Sequence, residues 1–306
     1  MRILTSVAVL GLLVGTPAWG AEGWQQQIAS GLGKPGAEMP GGVYRVGLPR
    51  TDLEVTLDGV AIKPALALGS WLAFKPMGNE VMVMGDLVLT GDEINPVLAR
   101  LEQGGVEITA LHNHLLRSAP GTMYMHVHGH GEPSKLATTL REALGASRTP
   151  FGAETAGVSP QAAAQAATIA STEQKLDLDT TAIDQALGRK GKVNGGVYQV
   201  SVPRAEAVKD SGMEVPEAMG SAIAINFQPT GSGKAAITGD FVLTADEVNP
   251  VIKALQANGI EVTAMHNHML ADEPRLFFMH FWANDDAQKL AKGLGAALDQ
   301  VKVAKR

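Results

Sequence analysis

All eight histidines of this sequence fall in two short windows, His112, His114, His126, His128 and His130 in one and His266, His268 and His280 in the other. A neutral imidazole offers one lone pair to a metal, and three or four held within ~2.0–2.1 Å of one point suit Zn²⁺ while accommodating Cu, Ni or Fe. Alternate residues of a strand share a face, so His112 and His114 point one way, as do His126, His128 and His130 on the next apolar run. If the two runs pair as a hairpin through Leu115 to Thr122, with Pro120-Gly121 in the loop, the imidazoles converge. In the second window Trp282 and Asn284 replace His128 and His130, leaving three histidines and a position that an acidic side chain or water could fill. All eight are candidate metal ligands, and His112, His114, His126 and His128 form the fullest set. Neutral imidazoles packed this densely would repel on protonation near their usual pKa of ~6.5 unless a metal or anion occupied the space.

The two windows match because the chain repeats itself. A shift of 154 residues superimposes Gly42-Val43-Tyr44 on Gly196-Val197-Tyr198 and Gly85-Asp86 on Gly239-Asp240, and 18 of the 30 positions from Gly85 to His114 are identical to Gly239 through His268, which excludes chance. The expected layout is a signal segment over 1–20, a first repeat over 21–145, an Ala- and Ser-rich linker over 146–173 and a second repeat over 174–306. Ser159-Pro160 would open a short linker helix.

Within one copy the patterns predict a helix carrying Ile28 and Leu32 and stopped at Gly33, then strands at 43–48, 71–74 and 81–89. Thr90 to Glu93 and Thr244 to Glu247 read as capping boxes, with Asp92 or Asn95 as alternative caps because Pro96 sits late for a first turn. A helix to Gly104, strands at 106–114 and 123–130, and a helix at 134–144 follow. The fold class expected is α+β: two tandem copies of a helix-backed, mostly antiparallel sheet domain with a β-α-β-β-α core of ferredoxin-like type.

Other repeated polar residues have two readings. Arg50 and Arg204 could clamp an anion or be solvated turn charges, and Asp86 and Asp240 could orient a liganding histidine. Asn113 and Asn267 should point away from the histidine face, Asn284 fits a helix cap with its counterpart His130 peripheral, and Phe277-Phe278-Met279 reads as packing.

Arg2, the apolar run Ile3 to Gly15 and Ala18-Trp19-Gly20 read as an export signal, so the expected location is periplasmic or secreted. The absence of cysteine removes disulfides, thiolate ligands, a cysteine nucleophile and a lipid anchor point. A formal charge of −6 without long single-sign blocks argues against a nucleic-acid footprint, and no stable membrane insertion is expected after signal cleavage. Serine-elbow, phosphate-loop and H-E-x-x-H motifs do not occur.

The stretch Ala264 to His268 with Arg275 to Ala283, and its partner Tyr124 to Gly131, resemble the duplicated domain-of-unknown-function family typified by the mycobacterial lipoproteins LppY and LpqO. The resemblance implies an exported bacterial protein of two copies, with no activity established for the class. The namesakes' lipidation cysteine is missing here. Three functions remain open: an envelope protein binding a divalent transition metal, a metal-dependent hydrolase in which Asp86 or Glu93 assists a metal-bound water, and a metal-free binding or scaffold module for an unknown small ligand.

Overall fold

The computed structural model describes residues 23–151 and 176–305. The signal-like segment and the linker helix expected at Ser159-Pro160 lie outside these residues.

The first repeat runs α1 (Trp24–Leu32), β1 (Ala37–Met39), β2 (Val43–Pro49), β3 (Thr56–Leu57), β4 (Val60–Ala61), α2 (Pro64–Ala67), β5 (Gly69–Met77), β6 (Glu80–Thr90), α3 (Ile94–Gln103), β7 (Glu107–His112), β8 (Thr122–Gly131) and α4 (Pro133–Leu144). The second runs α5 (Thr180–Leu187), β9 (Lys192–Asn194), β10 (Val197–Val202), β11 (Lys209–Asp210), β12 (Met213–Glu214), a 3₁₀ turn (Glu217–Met219), β13 (Ile223–Gly231), β14 (Lys234–Leu243), α6 (Ala245–Ala257), β15 (Glu261–His266), β16 (Asp272–Glu273), β17 (Phe277–Asp286) and α7 (Ala287–Leu298). Each repeat forms one six-stranded antiparallel sheet, ordered β1-β2-β5-β6-β8-β7 in the first and β9-β10-β13-β14-β17-β15 in the second. Because β6 and β7 both run antiparallel to β8, they are parallel to each other and α3 is their crossover, the split β-α-β unit of the expected α+β class.

Central strand β6 is buried on both faces, and its alternation sorts two different neighbours. Val81, Val83, Leu87 and Leu89 pack with Leu101, Leu136 and Leu140 of the helices. Met82 and Met84, on the opposite face, join the core of the second repeat. On β8, Met125 and Val127 likewise face the helices, which turns His126 and His128 toward the other repeat.

The segments between β2 and β5, and between β10 and β13, act as exchanged arms. Val60, Ile62 and Leu66 of the first arm pack with Val197, Ala236 and Trp282, whereas Val208, Val215 and Met219 of the second pack with Val43, Ala73, Met82 and Met84. Hydrogen bonds pin both arms: Gln228 donates to the Ala61 carbonyl and Gln199 to that of Ala65, and Arg45 donates to that of Ala218. The two copies therefore share buried apolar surface rather than standing as beads on a linker.

Several local expectations change. The second-repeat capping box at Thr244 and Glu247 forms, but in the first repeat Glu93 itself is the N-cap of α3, and neither Asp92 nor Asn95 takes that place. Helix α7 is capped by Asp286, two residues past the cap expected at Asn284, and Asn284 accepts the Thr230 hydroxyl instead. Arg50 and Arg204 are neither solvated turn charges nor anion clamps. Each is buried with its guanidinium on a buried glutamate, Arg50 to Glu93 and Arg204 to Glu247, both at 2.7 Å, and each also donates to a strand carbonyl. Glu93 and Glu247 are thereby committed to the fold.

Candidate metal centre

Edge strands β7 and β15 carry a bulge at matching places, between Ile108 and Ala110 and between Val262 and Ala264. A bulge leaves one residue unpaired and re-aims its side chain, and the residues released are Thr109 and Thr263. Thr109 donates its hydroxyl to the backbone carbonyl of His268, and Thr263 does the same to that of His114, both at 2.6 Å. Asn113 and Asn267, expected to point away from the site, instead cross the seam to the carbonyls of Thr263 and Thr109. Four reciprocal hydrogen bonds thus lock the two H-N-H segments together about a pseudo-twofold axis.

The lock places six histidines in one buried cluster. His112 and His266 stack across the axis with ring centroids 3.4 Å apart, His114 lies 3.6 Å from His280, and His126 lies 3.8 Å from His268. Every one of these close pairs joins one repeat to the other. Tyr124 and Phe278 close the two ends, stacked on His114 at 3.3 Å and on His268 at 3.4 Å. Sequence reasoning grouped each window with itself, whereas the structure joins three histidines from each copy into a single centre.

The rings are oriented for coordination. Nδ1 of His112 and His266 faces the carbonyls of Asn113 and Asn267 at 3.1 Å, that of His280 faces Gly239 at 2.7 Å, and His126 and His268 bond to the carbonyls of Gly85 and Gly220. A carbonyl can only accept, so each contact sets Nδ1 as the protonated nitrogen and leaves Nε2 as a lone pair. In all six rings Nε2 is buried without a hydrogen-bond partner. Ligand atoms converge within 4.8 Å of one another in three groups: His112, His114, His266 and His280; His126, His266 and His268; and Asp86, His114 and His126.

Asp86 and Asp240 sit at the same seam, each with one unpartnered carboxylate oxygen. Asp240 comes 3.2 Å from Nε2 of His268, and Asp86 comes 3.9 Å from that of His114. The repeated Gly-Asp dipeptide has a steric logic. A Cβ at Gly239 would lie 1.9 Å from the Ala224 carbonyl oxygen, and one at Gly85 2.7 Å from the Leu72 side chain, so glycine lets neighbouring strands close up beside each aspartate.

Burial governs the charge state. Desolvation lowers the pKa of all six histidines, and neighbouring imidazoles add to the effect on all but His112, which falls to about 4. Desolvation pushes Asp86 up to about 8, with the Asp240 charge adding to the rise and Arg45 opposing it. Asp240 rises to about 6, burial opposed by His280. Without a cation the imidazoles and Asp86 are neutral at pH 7, and the centre's remaining charge is the Asp240 carboxylate.

His128 and His130 do not join it. His128 points to Asp210 of the second arm, 3.4 Å away, and His130 is exposed beside it, ring centroids 4.7 Å apart. Trp282, which stands at the position of His128, donates its indole N–H to Asp58 of the first arm. His128 and Trp282 are therefore the same latch between a sheet and the opposite arm, made with different chemistry.

A family model described as Domain of Unknown Function (DUF1259) matches residues 26–146 and again residues 181–300. Among solved structures, that of PduB, a trimeric bacterial microcompartment shell protein, aligns over 85% of this chain and 88% of its own at 11% identity, with a TM-score of 0.19. No curated protein matches the chain. With both repeats matched over most of their length, the chain belongs to the DUF1259 family and carries its domain twice.

Proposed function

We propose that the protein is an exported metalloprotein of the cell envelope, holding divalent transition metal in one centre built by both repeats, and that its kinship runs to the exported two-copy proteins typified by LppY and LpqO. One observation carries the metal reading: six imidazoles whose Nε2 atoms are buried without a hydrogen bond and whose ligand atoms gather in overlapping groups within 4.8 Å. A buried acceptor without a partner costs about 1–3 kcal/mol, so six of them would be a heavy burden on a metal-free scaffold. Nitrogen ligands supplemented by carboxylate suit Zn²⁺, Cu²⁺, Ni²⁺ or Fe²⁺, and the cysteine-free sequence removes thiolate-selected ions. The leader-like N-terminus supports export, and no described helix is long and apolar enough to cross a membrane. Elemental analysis of untagged protein, followed by titration with Zn²⁺ and Cu²⁺, tests the reading. Bound or readily taken-up transition metal is expected, and protein that neither contains nor acquires any would overturn it.

Metal-dependent hydrolysis is a second reading, favoured by Asp86 and Asp240. Both line a cleft of about 1300 Å³ between the repeats together with His114, His268 and His280. A carboxylate beside a metal-bound water is what general-base catalysis requires. Hydrolysis of an activated ester by metal-loaded protein, lost in Asp86→Asn when rates are compared per bound metal, would favour it.

A further inference from the structure

The cleft is asymmetric where the chain is otherwise symmetric, and the asymmetry is a charge. Arg45 on β2 and Gln199 on β10 are equivalent under the shift of 154 residues. Both do the same structural work, donating one N–H to a carbonyl of the opposite arm, Arg45 to Ala218 at 2.7 Å and Gln199 to Ala65 at 2.9 Å. A neutral amide suffices for that bond in the second repeat, so the guanidinium charge in the first is surplus to the fold. It is also poorly compensated. Burial lowers the Arg45 pKa to about 10, Asp86 is the charge that acts against the fall, and no carboxylate comes within ion-pair distance of Arg45 among the described residues. The guanidinium lies over the Trp71 ring, 4.1 Å from its centroid, where the second repeat has Ala224 paired to Asp240 as Trp71 is paired to Asp86.

Arg45, Trp71, Asp86 and His114 line the same cleft. Trp71 is directly opposite Asp86 on adjacent strands, and the guanidinium above the indole is near enough to Asp86 for that charge to act on it. We propose that Arg45 is an anion-binding subsite for a small monocarboxylate, whose carboxylate pairs with the free edge of the guanidinium while its other end reaches the metal centre. The second half of this statement rests on the metal reading above. The first does not.

The chemistry favours a monocarboxylate. A planar guanidinium matches a planar carboxylate and offers parallel N–H donors. Glu214 and Glu217 also line the cleft, Arg204 is already paired with Glu206 and Glu247, and Lys192 is exposed to solvent, so a phosphate dianion would be undercompensated. Leu66, Ala67, Val215 and Ala218 provide apolar wall for the ligand's body.

Benzoate and its neutral isostere benzamide are the probes, titrated calorimetrically into the full-length chain with and without Zn²⁺. Arg45→Gln copies the second repeat and retains the arm-pinning bond, and Arg45→Lys keeps the charge without the planar fork should the glutamine variant fold poorly. Saturable benzoate binding is expected, weakened about tenfold or more in R45Q and for benzamide, with R45K in between and zinc content unchanged in all three proteins. Absence of saturable benzoate binding, or equal binding of benzoate and benzamide, or equal affinity in R45Q, would overturn the subsite. Failure of the chain to take up zinc would instead overturn the metal reading, while the benzoate and benzamide comparison would still decide the role of Arg45.

Discussion

Acidifying the metal-free protein should unfold it over a narrow interval that the buried centre sets. The six histidines have folded-state pKa values below the unfolded value of ~6.5, with His112 at about 4, so from pH 6.5 downward the unfolded chain binds six protons that the folded chain refuses. Stability from this source is complete above pH 6.5 and is lost as the pH falls. Asp86 and Asp240 act in the opposite sense, because their raised values of about 8 and about 6 make the folded state hold protons that the unfolded state releases above ~3.8. Between pH 4 and 6 the unfolded state therefore binds a net excess of at most about four protons, worth up to ~5 kcal/mol of stability per pH unit at ~1.4 kcal/mol each. A total stability of about 5–15 kcal/mol would be consumed one to three units below pH 6.5. Above pH 7 Asp86 alone contributes, and stability should decline gently toward pH 8. Urea denaturation of chelator-treated protein at half-unit steps from pH 4.5 to 8.5 would show a maximum near pH 7 with the steep side acidic. A flat profile between pH 7 and 5 would refute the assignment of six neutral, buried imidazoles.

Four further outcomes follow from single contacts. Replacing His128 by tryptophan, the residue at the equivalent place in the second repeat, should leave metal uptake unchanged, whereas His126→Ala should weaken it about tenfold or more in a competition titration. Glu93→Gln leaves the buried Arg50 with Asp52 as its remaining carboxylate and should destabilise the chain by about 1–3 kcal/mol, read as a lower urea midpoint at unchanged slope. Gly239→Ala places a methyl 1.9 Å from the Ala224 carbonyl oxygen and should destabilise by about 1–3 kcal/mol in the same assay, with loss of metal affinity because Asp240 and the Gly239 carbonyl move together. Metal binding at pH 7 should release about one proton, chiefly from Asp86, since the imidazoles are already neutral; calorimetry in buffers of different ionisation enthalpy measures it.

Much of the architecture was readable because period and punctuation act locally. Gly33 and Gly188 end their helices in the left-handed conformation, at φ 67° and 64°, as the apolar spacing before them suggested. The hairpin that pairs β7 with β8 was likewise readable from alternation. What escaped was everything decided across the seam. Alternation tells which residues share a face of a strand but not what lies opposite that face, so His126 and His128 looked equivalent although one meets His268 and the other Asp210. The signal was present in the repeat itself. Thr109-Ala-Leu-His-Asn-His114 and Thr263-Ala-Met-His-Asn-His268 preserve the threonine and asparagine as faithfully as the histidines, and those two residues make the cross-repeat bonds. Conversely, Arg50 reads by type as an anion clamp or a solvated turn charge, yet long-range burial makes it a structural strut with Glu93.

The central claim is that both repeats build one centre, and metal content tests it most directly. The triple substitution His112→Ala, His114→Ala and His126→Ala removes every imidazole ligand that the first repeat brings to the centre and none from the second. A shared centre requires this protein, loaded with Zn²⁺ and shown folded by circular dichroism, to retain almost no metal, because the second repeat's histidines are left without the lone pairs that complete their sites. Retention of half or more of the zinc bound by the unmodified chain would mean that the second repeat holds its ion independently, and would contradict the account.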